Sequence, residues 1–184
     1  MNRPTDDHLM ARVQDGEIAQ LGVLFERYHV PLYNYFVRLT SDRVESEDLV
    51  QEVFLRMMKY RHTYRAQGQF TCWMYQIARN ARGDHFHKWK REAALPAEDS
   101  IPSGQRDESD KLEERQEHEV LLAALARLPD DKREVLLLSR YQQLKYEEIA
   151  QLLGCTVAAV KVRVHRAMKD LRAHYFELSG GQVS

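Results

Sequence analysis

The sequence predicts an all-α protein in which two small helical domains are joined by a flexible acidic linker. Apolar residues recur at helical spacing through most of the 184 residues, and strand-like alternation never extends beyond a few positions. Helix-breaking residues are few, with eight Gly and five Pro. We expect the domains to span residues 1–91 and 117–184, with the linker at 92–116 and a four-helix arrangement in the second domain.

The composition favours a folded cytoplasmic protein. Hydrophobic residues make up 43% of the chain and charged residues 30%, which argues against a wholly disordered chain. No run approaches eighteen apolar residues and no apolar stretch follows the N-terminal charges, so we expect neither membrane insertion nor a secretory signal. The two cysteines, Cys72 and Cys155, show no CxxC spacing and are expected to be small buried side chains in a reducing compartment.

Four apolar stripes predict the helices of the first domain. The stripe at 21–28 follows the i, i+3, i+4, i+7 spacing of one helix face. Pro31 suits the first turn of a second helix, which carries the apolar residues of 33–37. Stripes at 50–58 and 70–81 predict a third and a fourth helix.

A change in amino-acid composition predicts the linker and the helices after it. Residues 95–110 contain two Pro, one Gly and many charges, with little to bury. Helical periodicity resumes at 120–128 and stops at Pro129. Two short helices are predicted around 135–138 and 149–153, and a longer one from Val157 to about Tyr175.

A helix-turn-helix is predicted from Tyr146 onwards. Ala150 is small where two helices must cross, Gly154 can take the positive φ that ends the first helix, and Thr156 can cap the second. Four residues at helical spacing are expected to face the core: Val157, Val160, Val164 and Met168. The remaining small and basic side chains suit the major groove of DNA, whereas the alternative is an ordinary helical hairpin with a basic face.

The net charge of −1 hides two basic blocks and one acidic block. Residues 65–91 hold six basic side chains against one acidic, and residues 156–175 hold five against one. Residues 92–119 hold ten acidic side chains against three basic. Two basic blocks point to a polyanion held at two places. Aromatic residues interleave with cations only in the first block, which suits single-stranded nucleic acid.

The predicted third helix has an acidic face with one leucine in it. Asp48, Gln51, Glu52 and Leu55 lie at i, i+3, i+4 and i+7, opposite the apolar stripe. This pattern fits either a docking surface for a basic partner protein or an ordinary solvated helix face.

Three motifs, in this order, resemble those of bacterial sigma factors. EDLVQEVFL at 47–55 resembles the helix that binds the polymerase clamp, and FTCWMYQIARN at 70–80 resembles the −10 recognition helix. The segment from Leu128 through the helix-turn-helix is similar to the −35 recognition domain. Domain order and length resemble the extracytoplasmic-function group, the two-domain members of the sigma-70 family.

The resemblance implies a transcription initiation factor that has no catalytic activity of its own. Such a factor binds core RNA polymerase, through the clamp helices of the largest subunit and the flap, and directs it to promoter DNA. It recognises the −35 element as duplex and the −10 element as melted single strand. The resemblance further implies an anti-sigma factor as a partner, a monomeric state, and neither cofactor nor metal.

The site residues that the resemblance implies fall into three groups. Those for polymerase binding are Asp48, Gln51, Glu52 and Leu55. Those for the −10 element are Tyr75, Arg79, Asn80, Asp84, His87, Lys88 and Arg91, with the loop at 64–69 receiving a flipped base. Those for the −35 element are Thr156, Val157, Ala158, Ala159, Lys161, Val162, Arg163, His165, Arg166 and Lys169. Lys145 departs from the family pattern, which usually has a serine cap there, so we expect the helix after it to fray.

Two alternatives belong to other classes of protein. A helix-turn-helix repressor or activator would bind duplex DNA alone and would need a dimer interface and a ligand pocket, neither of which the sequence indicates. A metal-using enzyme could take ligands from Cys72, His85 and His87, but no third and fourth ligands follow at a recognisable spacing. No nucleophile triad, Gly-rich phosphate loop or paired catalytic carboxylates are evident.

Overall fold

The computed structural model describes residues 4–65, 70–92 and 112–180, with the side chains of 88–92 and 112–116 excepted. The described residues form helices and no strand, so the predicted all-α class is confirmed. The helices are α1 (Asp6–Gln14), α2 (Ala19–Thr40), α3 (Arg43–Lys59), α4 (Phe70–Glu92), α5 (Leu112–Ala126), α6 (Asp130–Leu136), α7 (Tyr146–Leu153) and α8 (Val157–Leu178). A short 3₁₀ turn, Arg61–Thr63, follows α3, and a π-helical turn, Leu137–Tyr141, follows α6.

The described helices divide between two compact units. The N-terminal unit contains α1 to α4, and the C-terminal unit contains α5, α6, α8 and most of α7. The predicted linker at 92–116 lies mostly outside the described residues, and α5 begins within it at Leu112. None of the described helices is both long and apolar enough to cross a lipid bilayer.

α2 is one continuous helix, which corrects the prediction of a break at Pro31. Proline has no N–H to donate and costs about 3 kcal/mol in a helix interior. Apolar side chains on both sides of it are nevertheless buried in the same core, Leu24 before it and Leu32 and Phe36 after it. Their burial offsets the missing hydrogen bond, at roughly 1.5–3 kcal/mol for each large side chain.

The N-terminal helix α1 was not predicted from apolar spacing. Thr5 caps it by accepting a hydrogen bond from the His8 N–H at 3.3 Å, and Leu9, Met10 and Val13 are buried. Polar bonds then tie α1 to α2, because Asp6 accepts from Arg27 Nη1 at 2.5 Å and from the Tyr28 hydroxyl at 2.6 Å.

A buried arginine joins α5 to α6 in the C-terminal unit. Arg133 is 9% exposed, and its guanidinium donates to the carbonyls of Leu125 at 3.0 Å, Ala126 at 2.7 Å and Leu128 at 2.9 Å. Carbonyls at a helix C-terminus have no partner within the helix. Arg133 therefore closes the end of α5 while its own charge is dispersed over three acceptors.

Candidate polymerase and nucleic-acid surfaces

The four residues predicted to bind the polymerase lie on the outer side of α3. Asp48 and Gln51 are exposed, Glu52 is half-buried and Leu55 is 57% exposed. The Asp42 side chain caps the helix by accepting from the Glu45 N–H at 2.9 Å. The structure thus brings the predicted face together on one solvent-facing surface.

An open groove of 370 Å³ runs beside this face, between α2 and α3. It is lined by Phe25, His29, Val30, Tyr33, Glu47, Val50 and Gln51. Phe25 belongs to the predicted apolar stripe of α2, but its side chain is 38% exposed. Its ring stacks on His29 and contacts Phe54 edge-on, with ring centroids 4.9 Å apart in both pairs. Val30 is exposed at the other end of the groove. This groove was not predicted, although the apolar residues on more than one side of α2 are a sequence signal for it.

Arg56 connects the outer face of α3 to α4. Its Nε lies 2.5 Å from Glu52 Oε1 on its own helix, and its Nη1 lies 2.7 Å from Asp84 Oδ2 on α4. Burial opposes the charged form of the guanidinium, but hydrogen bonds to the two carboxylates prevail and raise the pKa of Arg56. The same helices also approach where His85 Nδ1 lies 3.1 Å from Glu45 Oε1.

Four of the residues predicted for the −10 element share one side of α4. Asn80, Asp84 and His87 are exposed and Arg79 is half-buried. All four line a cleft of 430 Å³ together with Arg56, Tyr60, Ile77 and Gly83. Gln76 Nε2 donates to Asn80 Oδ1 at 3.1 Å, which leaves the Asn80 amide N–H groups to face a ligand. Lys88 and Arg91 lie on α4, but their side chains are outside the described residues.

Tyr75 is a core residue, which corrects its placement among the −10 contacts. It is 2% exposed and packs edge-on against Tyr35, with ring centroids 5.2 Å apart. Burial raises the pKa of its phenol. Tyr75 precedes Ala78 by three positions, so it shares the buried side of α4 rather than the side of Asn80.

The first residue of the predicted base-receiving loop, Tyr64, is held by polar bonds to α1. The Tyr64 hydroxyl donates to Asp7, and Gln14 Nε2 donates to the Tyr64 carbonyl at 2.8 Å. Tyr64 is buried beside Trp73, at 5.1 Å between ring centroids, so it is not available to a base. Residues 66–69 of that loop lie outside the described residues.

The helix-turn-helix has the local geometry that its sequence predicts. Gly154 has φ +61°, and the chain closes with hydrogen bonds from the Cys155 N–H to the Ala150 carbonyl at 2.9 Å and from the Gly154 N–H to the Gln151 carbonyl at 3.3 Å. These two bonds form the Schellman motif that ends many helices. Thr156 then caps α8 by accepting from the Ala159 N–H at 3.1 Å.

The start of α7 carries one side-chain hydrogen bond at Lys145, where fraying is predicted. The Lys145 N–H donates to Glu148 Oε2 at 2.7 Å. This is one half of a capping box, in which the third helical residue reaches back to the cap residue. The other half requires a side-chain acceptor at position 145, which lysine cannot supply.

α8 separates a buried stripe from an exposed basic face. Val160, Val164, Ala167 and Leu171 are buried, while Val157 and Met168 are half-buried. Exposed on the other sides are Thr156, Ala158, Lys161, Val162, Arg163, His165, Arg166 and Lys169, and Ala159 is half-buried. Since successive helical residues are about 100° apart, Lys161 and Arg163 lie on opposite flanks of this face, with Val162 and Arg166 between them.

An apolar groove of 580 Å³ lies along the C-terminal half of α8. Its lining includes Leu121 from α5 and Met168, Leu171, Tyr175 and Phe176 from α8, and Phe176 is 51% exposed. An exposed apolar groove on a small unit is a candidate protein-binding surface.

The histidines and cysteines of the metal-site alternative do not gather into one site. Within the described ranges, no three His, Cys, Asp or Glu side chains come close enough to hold a metal ion together. Cys72 is buried as predicted, whereas Cys155, in the turn before α8, is only half-buried.

The chain matches two protein-family models and is similar to several known proteins. The model of Sigma-70 region 2 matches residues 24–92, and that of Sigma-70, region 4 matches residues 118–171. The ECF RNA polymerase sigma factor SigX of Bacillus subtilis is 31% identical over 83% of this chain and 81% of its own. The RNA polymerase sigma factor CarQ of Myxococcus xanthus is 32% identical over 92% of this chain and 97% of its own.

Two solved structures share the fold at 23% identity. One is CnrH in complex with the cytosolic domain of CnrY, with a TM-score of 0.69 over 91% of this chain and 95% of that one. The other is the sigma factor RpoE of Bartonella quintana in complex with the anti-sigma factor NepR, with a TM-score of 0.65 over 88% of this chain and 98% of that one.

Proposed function

Because the chain belongs to the extracytoplasmic-function sigma factors of the sigma-70 family, which direct RNA polymerase to promoters, we propose that α8 recognises the −35 element as duplex and α4 the −10 element as melted strand. The observation that carries this proposal is the exposed face of α8, opposite a fully buried stripe. The polymerase supplies the chemistry, and this chain supplies sequence recognition.

The −35 assignment is supported by the chemistry at the tip and middle of α8. Ala158 and Ala159 are small enough to let the helix approach base edges closely. Arg166 lies near the middle of the exposed face, where a guanidinium can pair with the O6 and N7 atoms of guanine. Val162 beside it offers an apolar contact to a thymine methyl group.

The −10 assignment is supported by the cleft on α4. Asn80 presents amide donors, Arg79 and His87 supply basic groups, and Tyr60 supplies an exposed ring at the rim. Single-stranded DNA binds where rings and cations lie together. Asp84 would repel phosphate, but its pairing with Arg56 neutralises it locally.

The polymerase is proposed to dock on α3 and on the C-terminal groove. Leu55 with Asp48 and Gln51 would contact the clamp helices of the largest subunit, with the groove beside Phe25 taking apolar side chains. The groove beside Phe176 would take the flap. The two domains are proposed to be joined by the acidic segment between α4 and α5.

An anti-sigma factor is a proposed partner, and the cytoplasm the proposed location. CnrH was solved with the cytosolic domain of CnrY, and the Bartonella RpoE with the anti-sigma factor NepR. By analogy, we expect this chain to act as a monomer that such a protein holds inactive.

Run-off transcription tests the proposal. Purified chain and core polymerase are given a library of upstream sequences, and we expect transcripts that start at defined points and depend on two spaced elements. Transcripts without promoter preference would contradict it. Tight sequence-specific binding of duplex DNA by the chain alone, in a gel shift without polymerase, would favour the repressor alternative.

A further inference from the structure

The N-terminal helix α1 holds one residue from a distant part of the chain by both of its ends. The Tyr64 hydroxyl donates to Asp7, and the Tyr64 carbonyl accepts from Gln14 Nε2 at 2.8 Å. Asp7 and Gln14 are seven positions apart, which places them on the same side of α1 and about 10 Å apart along its axis. Tyr64 therefore lies alongside α1, with its hydroxyl near the start of the helix and its backbone near the end. We call these three residues the α1 anchor.

The hydroxyl half of the α1 anchor is a persistent contact. Tyr64 is 3% exposed and Asp7 is half-buried, so few water molecules compete with the bond between them. Burial, and after it the hydrogen bond to Asp7, raise the pKa of the Tyr64 phenol. The phenol therefore keeps its proton and remains a donor at physiological pH.

The glutamine half of the α1 anchor fixes the path of the backbone. Tyr64 follows the 3₁₀ turn Arg61–Thr63 and has extended backbone, with φ −66° and ψ 139°. Its carbonyl lies outside any helix, where water would satisfy it equally well. Gln14 donates to it instead, across 50 positions of the sequence. The bond sets the direction in which the chain continues to Arg65, whose side chain is exposed.

The ring of Tyr64 connects the α1 anchor to the start of α4. Its centroid lies 5.1 Å from that of Trp73 and 6.2 Å from that of Phe70. Phe70 is buried, whereas Trp73, one helical turn later, is only half-buried. An exposed cation thus follows Tyr64 directly, and a partly exposed ring lies against it. Bases of single-stranded DNA bind where rings and cations occur together.

A second tyrosine hydroxyl ties α1 to α2 rather than to the chain at Tyr64. The Tyr28 hydroxyl donates to Asp6 at 2.6 Å, and Arg27 Nη1 lies 2.5 Å from the other oxygen of the same carboxylate. Together with three buried apolar side chains, these bonds dock α1 on the N-terminal unit. The docking of α1 and the holding of Tyr64 therefore depend on different side chains and can be separated by substitution.

We propose that the α1 anchor positions Arg65 and the ring of Trp73 for a base of the melted −10 strand, so that Asp7 and Gln14 are positioning residues for −10 recognition. The proposal rests on the proposed recognition of the −10 element as melted strand and deepens it. Tyr64 is buried and acts through its neighbours. A base that leaves its stack is selected only by groups that are already in place, because their contacts must offset the cost of unstacking.

The test pairs each anchor variant with a control that removes the same group elsewhere. Tyr64→Phe loses one hydroxyl bonded to α1, and its control, Tyr28→Phe, loses the other. Gln14→Met loses the side-chain amide, and its control is Gln20→Met in the first turn of α2. Holoenzyme containing each variant is bound to a forked template whose −10 strand is single, with the −10 sequence taken from the run-off library. Competition then measures the preference among the four bases at each −10 position.

We expect Tyr64→Phe and Gln14→Met to lower the preference at one −10 position by about 2- to 10-fold, which corresponds to one lost hydrogen bond. Both controls should leave the preference unchanged. With an abasic nucleotide at that position, the variants and the unchanged chain should bind equally, because no base remains to be placed. A defect of folding or of polymerase binding would instead weaken binding to every template, including the abasic one.

Trypsin tests the α1 anchor without DNA. Cleavage after Arg65, identified by mass spectrometry, should be faster in Tyr64→Phe and Gln14→Met than in the unchanged chain and the controls, because the backbone there is no longer held. Unchanged cleavage would show that α1 does not hold Tyr64.

Two outcomes of the template experiment would also overturn the proposal. These are an unchanged base preference in both anchor variants and an equal loss in Tyr28→Phe, which would reduce the anchor to the general stability of α1. A lack of base preference in holoenzyme with the unchanged chain would overturn the proposed −10 recognition itself. The behaviour of the unchanged chain therefore distinguishes the failure of one proposal from the failure of the other.

Discussion

Arg133 places a full charge in the interior of the C-terminal unit, where three carbonyls at the end of α5 accept from it. We expect Arg133→Met to lower the free energy of unfolding by about 2–4 kcal/mol, because it removes the arginine donor from all three carbonyls, of which Leu125 keeps the Leu128 N–H as a second donor. Urea unfolding followed by circular dichroism measures the change. Arg127→Gln, an exposed neighbour, should cost less than about 1 kcal/mol. Equal losses for both variants would contradict the capping role of Arg133.

Arg166 is the arginine of α8 that is best placed to recognise a base, since it lies between the flanks of the exposed face. Arg166→Ala should reduce binding to the selected −35 sequence by about 1–3 kcal/mol and relax the preference at one position. Competition among −35 variants in holoenzyme binding measures that preference. Arg163→Ala, on the flank, should weaken all sequences alike. Should Arg166→Ala also weaken every sequence equally, the residue contacts phosphate.

Core and surface positions are hardest to tell apart from the sequence for aromatic residues that lie near cations. Tyr75 and His87 are both predicted for the −10 surface, yet only His87 is exposed. Tyr75 extends the apolar stripe of α4 by one position, and its partner Tyr35 comes from α2. Tertiary packing brings Tyr35 against Tyr75, and the spacing of apolar residues along α4 alone does not predict that contact.

At the scale of elements, α7 begins with half of a capping box. Lys145→Ser would place a hydroxyl acceptor at the cap position before α7 and remove a cation from the positive end of the helix. We expect a gain of about 0.5–1 kcal/mol and a rise in the midpoint of thermal unfolding, followed by circular dichroism. Lys59→Ser, at the C-terminal end of α3, offers no cap and should give no rise. A midpoint for Lys145→Ser equal to that of the unchanged chain would contradict this expectation.

Elements with caps and stripes were predictable, and those held by long-range bonds were not. The turn at Gly154 and the cap at Thr156 follow from local chemistry, so the sequence predicts them correctly. Pro31 is predicted to start a helix because proline is unfavourable in a helix interior. The burial of apolar side chains before and after it outweighs this cost. α1 has only three buried residues, and its hydrogen bonds to Arg27 and Tyr28 join residues that are far apart in the sequence.

At the scale of the whole molecule, the docking face proposed on α3 can be disabled separately from the DNA face proposed on α8. Leu55→Asp places a charge at the centre of the proposed docking face. It should weaken binding to core polymerase by roughly 2 kcal/mol, about 30-fold, since a charged group would have to be buried without a partner. Competition with labelled chain for core polymerase measures the loss.

The control for that experiment is Ala123→Asp, which places the same charge on an exposed site of α5. DNA binding by the chain alone should be unchanged in both variants, because neither site lies on α4 or α8. If core affinity is retained in Leu55→Asp, the polymerase docks elsewhere than on the outer face of α3.

Arg56 has a consequence for how genetic screens of this protein should be interpreted. One guanidinium holds two carboxylates, Glu52 on the proposed polymerase surface and Asp84 on the proposed DNA surface. Removing either acid frees the arginine to bind the other more fully, so the defect spreads past the substituted position. A survey scored only by reporter output would then group Glu52 with Asp84, although the two are proposed to contact different macromolecules. Separate measurements of holoenzyme assembly and strand opening would tell such variants apart.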